Sequence, residues 1–227
     1  MLSRLPPVTK ALLLANVLVY VLQLLLPNDY LAPLKLWPIA LDDDPFSPTA
    51  SFMPWQLVTY AFMHGDPLHI AMNLICLLMF GAELESFWGS RRFLVFYTVC
   101  VVGAGLCQVA VATLMLAQNG WLYTSLGASG GVFGLLAGYA MEFPNHRVGL
   151  LFLPVMIKAR TLVAIFAVAQ LLLAFSGLDT GEAHFAHLGG MLFGWLMIRR
   201  WRRPRPPDAP TPKPGPKKRP SHLRVVK

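Results

Sequence analysis

Residues 127–141 read Gly-Ala-Ser-Gly-Gly-Val-Phe-Gly-Leu-Leu-Ala-Gly-Tyr-Ala-Met. One serine, Ser129, sits among small residues at the head of an apolar, helix-like run. Gly127 to Gly131 match the G-x-S-x-G pattern of a nucleophile elbow, whose meaning depends on its structural context. A soluble α/β-hydrolase would place β-rich sequence before it, and none precedes it here. The surrounding sequence belongs to a membrane protein, which changes what the serine can be.

Of the 227 residues, 56% are hydrophobic and 13% charged, against roughly 25% charged in soluble domains. The charges cluster and leave long apolar stretches between them. The formal net charge of +8 is concentrated, because nine of nineteen Lys and Arg follow residue 201. A basic tail beside a membrane segment reports orientation and anionic lipid rather than nucleic acid. Cys76, Cys100 and Cys107 all lie in apolar stretches. Their odd number and spacing argue against a disulfide framework or a metal site.

The hydropathy pattern predicts an all-α membrane protein with six spans. Arg4 and Lys10 precede the first, Ala11 to Leu26. These resemble the n- and h-regions of a signal peptide, but no A-x-A-like site follows, so a retained helix is expected. Residues 28–67 form a loop with Asp29, Asp42, Asp43, Asp44 and Asp66, several aromatics, and five prolines between Pro33 and Pro54. That mixture suits the outer interface. The further spans are Leu68–Leu84, Phe93–Ala117, Ser129–Met141, Thr161–Ser176 and His184–Ile198. Six spans place Arg91, Arg92, Arg147, Lys158, Arg160 and all basic residues from Arg199 on the side of the termini. Lys35 alone lies opposite, with the Asp cluster, Asp179 and Glu182. By the positive-inside rule both termini are cytoplasmic. Residues 1–203 form the six-span unit; 204–227 form a Pro-rich basic tail unable to bury a core.

The fourth span is short. From Ser129 to Phe143 a helix covers roughly 22 Å, against about 30 Å of hydrocarbon. With its inner end fixed by Glu142 and Arg147, Ser129 falls about 8 Å below the outer surface. Gln118 to Ala128 then dips into the membrane as a re-entrant loop, tolerated where it lines a wet cavity. The second, fourth and sixth spans run in the same direction, so their first residues share a depth. His69 and Asn73 stand at i and i+4 on one face. His187, Gly190 and Gly194 share a face of the sixth span. Ser129 or Gly130, with Gly134 and Gly138, forms a small-residue stripe on the fourth. Small stripes let membrane helices approach closely, which would bring Ser129 beside His187. Polar groups in spans default to functional readings. Ser129 and His187 suit a nucleophile and general base, arranged as a dyad because no carboxylate lies at that depth. His69, Asn73 and backbone N–H groups near Ser129 suit a developing oxyanion. Each feature alone is ordinary packing; their coincidence at one depth points to catalysis. His64, His69, His184 and His187 lack accompanying carboxylate or thiolate ligands, so no metal or cofactor is expected.

The ordered trio His69-x-x-x-Asn73, Gly127-x-Ser129-Gly130 and Ala186-His187-x-x-Gly190-x-x-x-Gly194 resembles the rhomboid family of intramembrane serine proteases, in its compact six-span bacterial form. The resemblance covers residues 8–200. It implies Ser129 as nucleophile, His187 as base, and His69 and Asn73 lining the oxyanion hole. Phe133 matches an aromatic that stacks on the catalytic histidine, where the family often has Tyr. His64 matches a supporting polar position. Trp55-Gln56 matches a Trp-Arg motif with Gln for Arg, so a salt bridge there does not carry over. His184, one turn before His187, competes for the base role, and the glycine spacing favours His187. The implied substrates are single-span proteins of the lipid bilayer, cut near the outer face. They would enter between the second and fifth spans below a cap loop from Gly177 to Ala183. Helix-destabilised segments with a small residue before the cut bond would suit such a site. A bacterial inner membrane is the implied location. A catalytically dead scaffold would lack Ser or His, and both are present. A transporter with a broken helix would want paired repeats or charges along a pathway, and neither is found.

Overall fold

The computed structural model describes residues 5–39, 51–120, 122–150, 153–176 and 183–202. The Asp42–Asp44 cluster, the cap loop from residue 177 to 182 and the tail from residue 204 lie outside the described residues.

Helix α1 (Pro7–Leu25) opens on a proline, whose missing N–H costs nothing at the first helical turn. The Glu85 carboxylate caps it, accepting from Val8 N (2.9 Å), Thr9 N (2.7 Å) and Thr9 Oγ1 (2.8 Å). Pro27 follows its end, and the short helix α2 (Asn28–Leu31) leads through a 3₁₀ turn into extended chain. Helix α3 (Gln56–Thr59) continues as a 3₁₀ turn to Phe62. Asp66 then caps α4 (Pro67–Cys76), accepting from the N–H groups of Leu68 and His69. A π-helical turn, Leu77–Gly81, joins α4 to α5 (Ala82–Trp88), so the chain is helical from Pro67 to Trp88. Gly89, at φ +80°, breaks the run in a conformation glycine adopts without strain. Helix α6 (Ser90–Asn119) has 30 residues, and α7 (Ser129–Glu142) only 14. Helices α8 (Ala159–Phe175) and α9 (His184–Arg202) complete the chain.

The runs Pro7–Leu25, Pro67–Trp88 and Ser90–Gln118 are long and apolar enough to cross a bilayer; α8 is apolar but shorter. Leu18, Leu24 and Leu25 of α1, and Val168, Leu172 and Phe175 of α8, are exposed. A water-soluble protein would not present such faces, whereas hydrocarbon solvates them at no cost. The protein is a mostly helical integral membrane protein.

Helix α7 is the centre. Nine of its residues are buried on several sides, the pattern of a helix enclosed by others. It packs against α6 and α9 over backbone made accessible by glycine. A Cβ on Gly194 would stand 3.0 Å from the Gly134 carbonyl oxygen, and one on Gly134 would stand 3.1 Å from that of Gly190. A Cβ on Gly190 would fall inside the Gly130 carbonyl. Gly138 departs from the expected stripe: it faces Phe96 and Trp88 rather than α9. At the Arg-rich end, Trp88 packs on Phe96 and Trp201, and Arg92 stands 4.1 Å over the Trp201 ring.

The expectation of an all-helical chain needs one correction. Strands β1 (Arg147–Leu150) and β2 (Leu153–Lys158) form an antiparallel hairpin, with Arg147 opposite Lys158 and Val148 opposite Ile157. Val148, Val155 and Ile157 supply β-branched side chains in a segment that Pro154 bars from a helix interior.

Candidate active site

Ser129 is the first residue of α7, where the N–H groups lack helical acceptors and carry the positive end of the helix dipole. The approach to it is tied down on both sides. Leu36 and Ser125 exchange backbone hydrogen bonds, both of 2.9 Å, and Gly127 N–H donates to the Tyr60 carbonyl at 2.9 Å. Gly127 has φ +128°, and a Cβ there would lie 2.7 Å from the His69 ring. Both constraints require glycine, so this position brings the loop against His69.

The Ser129 Oγ lies 2.7 Å from His187 Nε2. His187, one turn into α9, is buried. The Phe133 ring stacks on it, with centroids 4.2 Å apart and planes 14° apart. Phe133 is four residues after Ser129, on the same α7 face, so one helix supplies both the hydroxyl and the platform that fixes the imidazole. His184 does not reach the serine hydroxyl; its Nδ1 meets the Gln170 carbonyl oxygen at 2.7 Å. The same oxygen meets His187 Nδ1 at 2.9 Å.

His69 and Asn73 share the inward face of α4, and the Asn73 amide donates to the His69 carbonyl at 2.9 Å. His69 Nδ1 accepts from Gly65 N–H at 3.4 Å, and its ring is met edge-on by His64 at 5.0 Å. His64 is buried behind it, with no protein partner at either ring nitrogen. Burial, and secondarily the neighbouring His69, push His64 down to about 4, so it is neutral near pH 7. Its backbone is clamped by Gln23, which accepts from His64 N–H at 2.9 Å and donates to its carbonyl at 3.0 Å.

Ser129, His187, His69, Asn73, Phe133 and Gln170 line one cavity of about 670 Å³. Gly130, Gly190 and Gly194 lie outside its wall, in the α7–α9 contact that sets the distance between the serine and the histidine. Gln56 replaces any salt bridge with neutral bonds. It accepts from Trp37 N–H at 3.2 Å and donates to the Pro33 carbonyl at 3.2 Å. Among the described residues no group of three or more potential metal ligands converges.

Sequence reasoning missed two polar residues. Gln170 lies in the middle of an apolar span, which is itself a signal of function. Gln23 lies near the end of the first span and is masked by the apolar run around it.

The rhomboid domain family model matches residues 51–203. Over 144 residues the chain is 33% identical to RHOMBOID-like protein 4 of Arabidopsis thaliana, covering 63% of this chain and 33% of that protein. It is 32% identical over 142 residues to Presenilin-associated rhomboid-like protein A, mitochondrial, of Danio rerio, covering 61% of this chain and 35% of that protein. It is 27% identical over 150 residues to Rhomboid-like protease 3 of Toxoplasma gondii, covering 66% and 52%. The matched segment thus spans about a third to a half of these relatives. With more than half of the chain inside the matched domain, and the three motif helices meeting around one cavity, the chain belongs to the rhomboid family.

Proposed function

We propose that this protein is an intramembrane serine endopeptidase that hydrolyses peptide bonds in or near transmembrane segments. The observation that carries the reading is the 2.7 Å contact between Ser129 Oγ and His187 Nε2, in a polar cavity enclosed by apolar helices. His187 Nε2 takes the hydroxyl proton as Oγ attacks the scissile carbonyl carbon. The carbonyl π electrons move to oxygen. That oxyanion meets His69, Asn73 and the N–H groups opening α7. On collapse, the C–N bond breaks and His187 returns its proton to the leaving amine. Water, deprotonated by the same histidine, then cleaves the acyl-serine ester.

The spans of the working protein are α1, α4 with α5, α6, α7, α8 and α9, with both termini cytoplasmic and the cavity opening to the outer face. At about 21 Å, α7 is shorter than the roughly 30 Å hydrocarbon layer, so Ser129 lies below the surface at the head of a re-entrant loop. Residues 1–203 carry the activity, and 204–227 are an accessory tail. Single-span substrates enter between α4 and α8, and helix-destabilised segments are favoured because an intact helix shields its peptide bonds. A bacterial inner membrane suits this compact form.

The test is cleavage of a single-span substrate in liposomes. Ser129→Ala and His187→Ala, each matched to wild type in amount and unfolding temperature, are expected to abolish it. Cleavage at the wild-type rate by either variant refutes the mechanism.

A further inference from the structure

The carbonyl oxygen of Gln170 stands between the Nδ1 atoms of His184 and His187, and no carboxylate takes that place. We propose that Gln170 is a positioning residue that fixes the tautomer and orientation of His187, acting as an uncharged counterpart of a triad acid. The inference rests on the Ser129–His187 reading.

The chemistry follows from which atoms can donate. A carbonyl oxygen has two lone pairs and only accepts. At 2.7 and 2.9 Å it draws a hydrogen onto Nδ1 of both histidines. With its hydrogen on Nδ1, neutral His187 carries its lone pair on Nε2, the atom 2.7 Å from Ser129 Oγ. That is the one neutral tautomer able to receive the serine proton. If the amide were reversed, its NH₂ would donate to Nδ1, leave a hydrogen on Nε2 and block the base. The NH₂ of a reversed amide, with two hydrogens, would serve both Nδ1 atoms equally, so the tautomer of His187 is what distinguishes the two settings. The amide is buried and both of its histidine partners are on α9. Phe133, on α7, fixes the plane of the ring, while Gln170, on α8, fixes its proton. The base is therefore complete only when three helices are packed together.

Gln170→Leu removes the acceptor at nearly constant volume, and Gln170→Glu keeps one. In liposomes, Gln170→Leu is expected to lower kcat about 10- to 100-fold with KM little changed, the size of effect that misplacing a catalytic group produces. Gln170→Glu is expected to recover most of that loss. Independently of the Gln170 variants, ¹⁵N-histidine NMR of the wild-type protein should show His187 hydrogen-bearing at Nδ1 and bare at Nε2, with its signals identified by their absence in a folded His187→Ala. An Nε2–H tautomer in the wild type overturns the proposal. So does Gln170→Leu with wild-type kcat, or Gln170→Glu no more active than a stably folded Gln170→Leu. If Ser129→Ala abolishes cleavage while Gln170→Leu leaves it intact, this inference alone fails. If Ser129→Ala cleaves normally, the underlying mechanism fails with it.

Discussion

Substituting Gly190 by alanine should open the Ser129–His187 contact from behind. Gly190 is three residues past His187, and its neighbour across the interface, Gly130, directly follows Ser129. A methyl group at Gly190 would fall inside the Gly130 carbonyl, which is helix backbone and has no rotamer to escape into. Sideways movement is blocked too. A Cβ on Gly130 would lie 2.5 Å from Ala104, and one on Gly189 would lie 2.8 Å from Cys107, both on α6. The helices must therefore separate by more than ~1 Å to restore ordinary carbon contact distances. The Ser129–His187 contact of 2.7 Å would lengthen by a similar amount, beyond the reach of a hydrogen bond. Cleavage in liposomes should fall about 100-fold, and overpacking should cost about 1–3 kcal/mol of stability. Two controls separate these effects. Gly65→Ala places its Cβ in ordinary contact, 3.8 Å from His69 Nδ1 and from Leu126, and should be tolerated. Gly194→Ala meets the Gly134 carbonyl oxygen at 3.0 Å, one turn farther from the serine. It should lose stability with a smaller loss of activity. If Gly190→Ala cleaves within about threefold of wild type below its unfolding temperature, the glycine contact does not set the Ser129–His187 distance on which the proposed mechanism depends.

Two further outcomes follow from buried polar groups. Glu85→Ala should destabilise the protein by about 3–5 kcal/mol, because it strands Val8 N–H, Thr9 N–H and the hydroxyls of Thr9 and Ser90, all within 2.9 Å of the carboxylate. Glu85→Gln should lose less, and denaturant unfolding measures both; a loss under about 1 kcal/mol for Glu85→Ala would show that α1 is held by other contacts. His64, pushed down to about 4 when folded, is stabilising above its unfolded value of about 6.5 and loses that contribution as pH falls toward 4. Between about pH 7.5 and about pH 4.5 the wild type should lose about 2–3 kcal/mol more stability than His64→Leu. Parallel losses in the two proteins would rule that out.

The fold was legible where one helix decides the outcome by itself. Apolar length marks α1, α4 with α5, α6 and α8. A period of 3.6 residues puts His69 with Asn73 and His187 with Gly190 on shared faces, whatever the neighbours do. Features depending on local backbone irregularity were hidden. The π-helical turn at Leu77–Gly81 has no composition of its own. The hairpin 147–158 alternates too briefly within an apolar stretch to separate strand from buried helix.

The polar residues inside the spans show where the remaining information lies. Asn16 and Gln170 look alike in the sequence, as amides within long apolar runs. Asn16 turns back to the Leu12 carbonyl of its own helix, donating at 2.7 Å. That local bond gives the amide NH₂ a partner without another element, while its Oδ1 has none among the described residues. Gln170 instead reaches α9 and meets two histidines. The difference is the rotation of each helix about its own axis, which is set by packing between helices and written in neither segment alone. Glu85 makes the same point at a span end. There, a carboxylate normally marks the boundary with water, yet this one is buried and caps the neighbouring helix. In such a chain, polarity within a span marks a residue for which a partner inside the bundle has to be sought. Whether its partner is its own backbone, a neighbouring helix end or a buried histidine depends on which face the bundle turns inward.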